Sequence, residues 1–346
     1  MTNLSVRLYE AWRKAVLEEK IVNLFEATQD DLAGRWVKGD RIVYGIRIID
    51  GELAYYAQNL SQSRDIQGAT AEKQVGNTGY LCRLNSYRAL RPGVRRRPIG
   101  RQPDIPADPE RCRFHCQNIA HPLSLLRREP LLQFECSHFT WNAYYNVAPL
   151  DKEGHFLWVP TPSASTATML PHIPQQLSLE FLQDAVELFG QLTQTILFFN
   201  ALHAGASVNH IHWQALYHRH SLPIEAAPIV TDKGYHRLDN YPVQAMVFTP
   251  RTPVGEIFTC VDRLQEAGIP FNLAMLRERI LLVVRNIEHE IVSEFPNDGF
   301  AALGLCGTIN TVDPRVYETI NDTMIEAAFE KIVIPAQQVI DIWLTP

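Results

Sequence analysis

The segment AGASVNHIHWQAL, residues 204–216, sets His210, His212 and Gln214 at alternate positions. In an extended strand successive side chains point to opposite faces, so these three share one face while Asn209, Ile211 and Trp213 turn to the other. A neutral imidazole is a nitrogen nucleophile near physiological pH, its unperturbed pKa being about 6.5. Held by its neighbours, it can attack phosphorus and form a covalent intermediate, which splits one displacement into two easier ones. Just upstream, Ala204, Gly205, Ala206 and Ser207 leave backbone N–H groups and a hydroxyl accessible to phosphate oxygens. Spacing alone leaves a phosphate site, a metal site and an ordinary strand surface open.

The elements around this segment follow from periodicity. Residues 177–200 carry apolar side chains at Phe181, Leu182, Val186, Leu188, Phe189, Leu192 and Ile196, which predicts one long amphipathic helix with Ser178 as its cap and Glu180 in its first turn. Before it, two apolar runs flank a turn at Pro149 to Gly154, a hairpin signature. After it comes the strand of the paired histidines. The C-terminal third repeats that order more loosely. YPVQAMVFTP reads as a strand, VGEIFTCVDRLQEAG as a helix ending at a C-cap glycine, and FNLAMLRERILLVVRN as two strands about a charged turn at Arg277 to Arg279. GFAALGLCGTINTV reads as a further strand and residues 313–334 as helical. No histidine pair recurs there.

Toward the N-terminus the signals are weaker. Residues 3–27 place Leu8, Trp12, Val16, Leu17, Ile21 and Leu24 at helical spacing. GRWVKGDRIVYGIRIIDGELAYYAQ predicts a hairpin turning at Asp50-Gly51. Residues 60–110 are polar and proline-rich and carry arginines at 95, 96, 97 and 101, which predicts an irregular excursion. Its arginines read as a solvated charge run or as a contact for phosphate or a partner.

The chain has 346 residues, 46% hydrophobic and 20% charged, with a formal net charge of −6. Those values suit a soluble globular protein of two ordinary domains or one enlarged one, and argue against a general affinity for nucleic acid. No run reaches the 18 or more apolar residues of a membrane span. The N-terminus lacks the apolar core of a secretory signal, so the six cysteines are expected to be reduced and the protein cytoplasmic.

The H-x-H-x-Q pattern after a small-residue turn resembles the histidine triad superfamily. Gln in the third place resembles its transferase branch, which includes galactose-1-phosphate uridylyltransferase and diadenosine tetraphosphate phosphorylase. FFNALHAGASVNHIHWQALYHRHSLPIEAAP is similar to the stretch of the GDP-hexose phosphorylases (GDP-L-galactose and GDP-D-glucose types) that carries their N-H-x-H-x-Q motif and a later Pro-Ile-Glu turn. NVAPLDKEGHFLWVP resembles their Asn-Val-x-Pro hairpin with Gly-His on the return strand. The likeness runs colinearly over about residues 130–346. Trp213 stands where these relatives commonly have Phe, and Asp151-Lys152-Glu153 replaces a more aromatic turn, which bears on substrate identity rather than reaction type.

The resemblance implies an α+β, histidine-triad-like fold of two related antiparallel-sheet-plus-helix halves, residues 126–235 and 236–346, preceded by a less regular segment 1–125. It implies phosphoanhydride cleavage of a nucleoside diphosphate sugar, GDP-hexose favoured, with inorganic phosphate as acceptor. His212 would be the nucleophile, His210 would orient it, and Gln214 would donate to the α-phosphate as charge develops. Ser207 and Gly205 would bind phosphate oxygens, and Asn200 and Asn146 sit where these relatives contact phosphate or ribose, or are turn and strand-end residues. A dinucleoside polyphosphate phosphorylase or ATP adenylyltransferase is the alternative within the superfamily, and a catalytically silent nucleotide-binding protein the alternative outside it. Monomer and homodimer are both compatible.

No cofactor is required by this chemistry. The uridylyltransferase relatives hold zinc with Cys-x-x-Cys and two histidines, one of them the first of the pair. Here Cys112, His115, Cys116 and His121 lie close in CRFHCQNIAH, but the spacing is Cys-x-x-x-Cys and no second cysteine pair completes a set. They are weak zinc candidates.

Overall fold

A computed structural model describes residues 3–18, 41–43, 46–48, 70–85, 88, 97–118, 124–125, 129–146, 149–151, 153–161, 171–218, 220–232, 234–296, 299–335 and 338. Among these, ten strands form one antiparallel sheet. They are β5 (Leu132–Glu135), β6 (Thr140–Tyr145), β7 (His155–Thr161), β8 (Thr195–Asn200), β9 (Trp213–Tyr217), β10 (Ile229–Asp232), β11 (Tyr235–Leu238), β12 (Met246–Phe248), β13 (Phe271–Leu276) and β14 (Arg279–Val284).

Their order is β5-β6-β7-β9-β8-β13-β14-β12-β11-β10. The first five strands and the last five therefore have one topology, a three-strand meander, then a helix, then a fourth and fifth strand with the fifth inserted beside the third. The helices are α2 (Leu179–Gln191) and α4 (Val254–Glu266), with the short α3 (Pro223–Ala226) between them, and the halves join where β8 meets β13, with Asn200 opposite Asn272 and Phe198 opposite Ala274. The α+β expectation of two related antiparallel-sheet-plus-helix halves holds. The halves differ where chemistry is concerned. Arg277 and Glu278 alone connect β13 to β14, whereas residues 201–212 connect β8 to β9. The second half has no room for a histidine loop.

Residue alternation distributes the strands between two cores. Leu197, Phe199, Ile211, Trp213 and Ala215 pack under α2, α4 and α1 (Leu4–Leu17), which contributes Leu4, Leu8, Trp12 and Ala15. On the opposite face Ile196, Phe198, Leu216 and Ala274 pack against α5 (Ala302–Leu305) and α7 (Asp322–Ile332), with α6 (Pro314–Thr319) beside them. Each such fully buried Leu or Phe contributes about 1.5–3 kcal/mol of burial. The hydroxyl of Ser178 caps α2 by accepting from Phe181 N–H. The helix stops at Gln191, where Leu192 turns extended, and 195–200 is strand rather than helix because TILFFN is β-branched and aromatic. Likewise GFAALGLCGTINTV is not one strand. It holds the short α5 and then β15 (Thr308–Thr311).

The first segment is more regular than its composition suggests. β1 (Arg41–Val43) and β2 (Ile46–Ile48) form a hairpin, while Asp50-Gly51 lies outside the described residues. Within the expected irregular stretch, β3 (Thr70–Val75) and β4 (Tyr80–Asn85) pair about Gly76 and Gly79, and β4 then pairs in parallel with β15. Arg83 of β4 reaches Asp151 at 2.7 Å and Asn85 Nδ2 donates to Pro149 O, so this sheet anchors the β6–β7 turn. Of the arginine run, Arg101 pairs with Asp104, and Arg95 and Arg96 lie outside the described residues. Among the described residues no helix is long and apolar enough to cross a membrane.

Candidate functional site

The strand β9 begins only at Trp213, so His210 and His212 sit at the end of the loop that enters it rather than within it. Alternation still governs that loop, since Ile211 and Trp213 point into the core under α2 while His210 and His212 face Phe114 on the other side. The loop backbone is tied at each end. Gln175 Oε1 accepts from His212 N–H at 2.9 Å, and Gln175 Nε2 donates to Asn200 O and His212 O. Asn209 Oδ1 accepts from Gln175 N–H, and Asn209 Nδ2 donates to Ile105 O. Gln175 is not marked in the sequence because a lone Gln has no period or motif, and Asn209, the first residue of N-H-x-H-x-Q, carries no assigned role there.

The ring of His212 is held through its own backbone. Its Nδ1 lies 2.7 Å from His210 O. A carbonyl only accepts, so the proton is on Nδ1 and the lone pair on Nε2. Burial pushes the pKa of His212 down to about 4, opposed by the His210 carbonyl, and burial with the nearby His172 and His212 rings pushes that of His210 to about 3. Both rings are neutral at pH 7. The Phe114 ring lies edge-on to both, with centroids 5.5 Å from His210 and 5.2 Å from His212.

Gln214, on β9, faces His155 of β7, whose Nε2 is 2.9 Å from Gln214 Oε1. With Nε2–H donating to that oxygen, the Gln214 amide N–H groups are directed away from His155. Asn146 joins them, its N–H donating to His155 O and its side chain 3.4 Å from the His155 ring. The sequence marks Gly154-His155 only as part of a hairpin and does not bring His155 to Gln214. Antiparallel pairing of β7 with β9 puts it there.

Gly205 and Ser207 lie on the loop that follows Asn200, the last residue of β8. Gly205 has φ +97° and a Cβ there would stand 2.8 Å from Ala301 Cβ, so both conformation and packing require glycine. Asn200 is buried, and its Oδ1 accepts from Asn272 Nδ2 and from Ala302 N–H, which commits that oxygen to the fold. Arg113, exposed, donates to Ser207 O at 3.3 Å and brings a guanidinium beside the loop. His203 Nε2 meets Asp104 at 3.0 Å.

Cys112 and Cys116 do meet two histidines, but these are His172 and His210. His115 is not among them and His121 lies outside the described residues. The four donor atoms lie within 4.8 Å of one another. Cys112 Sγ is 3.7 Å from His210 Nδ1 and Cys116 Sγ is 3.5 Å from His172 Nδ1. Tetrahedral zinc, with bonds of about 2.3 Å to sulfur and 2.0–2.1 Å to nitrogen, has an S···N edge of roughly 3.6 Å. The donor set fits a Cys2His2 site. Without a cation, burial and the neighbouring Cys112 push the Cys116 thiol up to about 12. His172, remote in sequence, is the donor that local spacing could not supply.

No family model matches the chain. Human GDP-D-glucose phosphorylase 1 is 31% identical over 199 residues, covering 56% of this chain and 49% of that protein. GDP-L-galactose phosphorylase 1 of Arabidopsis thaliana is 24% identical over 237 residues, covering 60% and 50%. The chain is similar to the GDP-hexose phosphorylases. It spans about half the length of these relatives. Beside these GDP-hexose phosphorylases, the crystal structure of yeast Ap4A phosphorylase Apa2 in complex with Ap4A matches in fold, with a TM-score of 0.53 and 14% identity over 83% of this chain and 99% of that one.

Proposed function

We propose that the chain is a nucleotidyltransferase that phosphorolyses a nucleoside diphosphate sugar, GDP-hexose favoured. His212 Nε2 attacks the α-phosphorus. A P–N bond forms, the phosphoanhydride P–O bond breaks, and hexose 1-phosphate leaves. Inorganic phosphate then attacks the same phosphorus, the P–N bond breaks, and nucleoside diphosphate is released with His212 neutral again. The leaving group is a phosphate monoester whose second pKa is about 6, so it departs without a general acid. That suits a Gln rather than a third His at position 214. Gln214 donates to the α-phosphate, where its bond strengthens as charge develops. Arg113, the Gly205 amide and the Ser207 hydroxyl bind phosphate oxygens. Cys112, Cys116, His172 and His210 would hold Zn²⁺, which when bound fixes charge-neutralised ligands rather than reacting.

The observation that carries this reading is the His212 ring held by its Nδ1–H on the His210 carbonyl, with Nε2 unprotonated. Similarity to human GDP-D-glucose phosphorylase 1 and to GDP-L-galactose phosphorylase 1 supports the substrate class. A phosphorolysis screen over GDP-, ADP- and UDP-sugars and diadenosine tetraphosphate tests it. Hexose 1-phosphate and GDP from GDP-hexose are expected. Turnover confined to diadenosine tetraphosphate would make the chain a dinucleoside polyphosphate phosphorylase, and tight nucleotide binding without product a silent binder.

A further inference from the structure

Arg285, at the end of β14, is fully buried, and the chemistry above does not use it. Its Nη1 donates to Asn272 Oδ1 and to Phe300 O, each at 2.8 Å, and its Nε donates to Ile332 O at 3.1 Å. Burial lowers its pKa to about 10, so it is charged at neutral pH. Asn272 passes the contact on, its Nδ2 donating to Asn200 Oδ1 at 2.8 Å and to Ala204 O at 2.7 Å. Asn200 Oδ1 also accepts from Ala302 N–H at 3.0 Å, next to the Ala301 against which Gly205 packs.

Arg285 donates only to neutral acceptors, its charge being offset in part by the buried carboxylate of Glu290, and hydrophobic replacements of buried ions are often tolerated or better. A cheaper solution would serve stability alone. What this arrangement does supply is direction. Arg285 can only donate, so Asn272 must present its oxygen to Arg285 and its nitrogen to the loop. That orientation fixes the Asn200 side-chain oxygen and ties down the Ala204 carbonyl. Both ends of the loop 201–204 are thus set from the half of the molecule that carries no histidine pair.

Resting on the proposed phosphorolysis, we infer that Arg285 and Asn272 are positioning residues for the phosphate-binding loop, acting across the β8–β13 seam. Asn272→Asp separates this from a role in stability. Its carboxylate still accepts from Arg285, now as an ion pair, but sets an acceptor against Asn200 Oδ1 and Ala204 O and expels them. The variant should fold cooperatively, with KM for GDP-hexose raised and kcat/KM lowered about a hundredfold, the scale of a 1 Å misplacement. A purely structural residue would lower the active fraction, and so kcat, with KM unchanged. A second measurement needs no variant: hydrogen exchange on the wild type with saturating GDP should slow the amides of 204–207 together with that of Ala302.

A folded Asn272→Asp protein with wild-type KM, or GDP protection confined to 201–212, would overturn the inference while leaving the phosphorolysis intact. Wild-type protein that turns over no nucleotide sugar would overturn the underlying reading, and the inference with it.

Discussion

His212 Nδ1 lies 2.7 Å from the backbone carbonyl oxygen of His210, two residues before it in the chain. One short bond thereby fixes the tautomer, the ring plane and the nitrogen that faces outward. It also explains why two histidines at alternate positions have different duties. The first lends a carbonyl to its neighbour and turns its ring toward Cys112, and the second keeps a free lone pair.

The pH dependence follows from burial. His212 is pushed down to about 4 and His210 to about 3, so the rate of adduct formation should be flat down to about pH 5 and fall with a midpoint near 4. For stability, unfolded His212 takes up a proton below about 6.5 while the folded ring stays neutral until about 4. The unfolded state then binds more protons, so this contribution to stability is full above about 6.5 and is lost as pH falls through that window. Quench-flow rates and Tm against pH check both, and a rate midpoint near 6.5 would contradict the burial argument.

Metal content is the next measurement. Purified protein is expected to carry about one zinc per chain, given a Cys2His2 donor set. Cys116→Ser and His172→Ala should each lose it and lower Tm, whereas His115→Ala should retain it. Metal-free protein with an unchanged Tm would remove this site.

Gln214 and His155 should be coupled. Replacing His155 by Leu frees the Gln214 amide to rotate and is expected to slow adduct formation about tenfold. In a Gln214→Ala background the same replacement should cost little further. A double-mutant coupling of about 1–2 kcal/mol is expected, and strict additivity would show that His155 serves only the core.

Gly205→Ala meets Ala301 at 2.8 Å and a φ of +97°. A loss of about 1–3 kcal/mol of stability and a slowed adduct step are expected. Adding Ala301→Gly should recover the packing part but not the conformational part. Urea unfolding of the single and double variants separates them.

Much of the candidate face was legible in the sequence because alternation is local. Ile211, Trp213 and Ala215 go to one core and His210, His212 and Gln214 to the other side, even though regular strand begins only at Trp213. What was not legible depends on pairing between distant segments. His172 meets Cys116 and Asn272 meets Asn200 only because loops and strands far apart in the chain are brought together, and no spacing rule encodes that. Local errors have local causes. The apolar run through Ile196 hid a helix-to-strand change between Gln191 and Thr195, and charged Glu72 and Lys73 disguised the β3–β4 hairpin whose Gly76 and Gly79 mark its turn.

The most direct measurement of the central claim is the intact mass of the protein after incubation with GDP-hexose in the absence of phosphate. The wild type should gain one guanylyl group, lose it on addition of phosphate with release of GDP, and give a tryptic peptide modified at His212, while His212→Asn gains nothing. An unmodified wild type that still phosphorolyses GDP-hexose, or an adduct that persists in His212→Asn, would contradict the assignment of His212 as nucleophile.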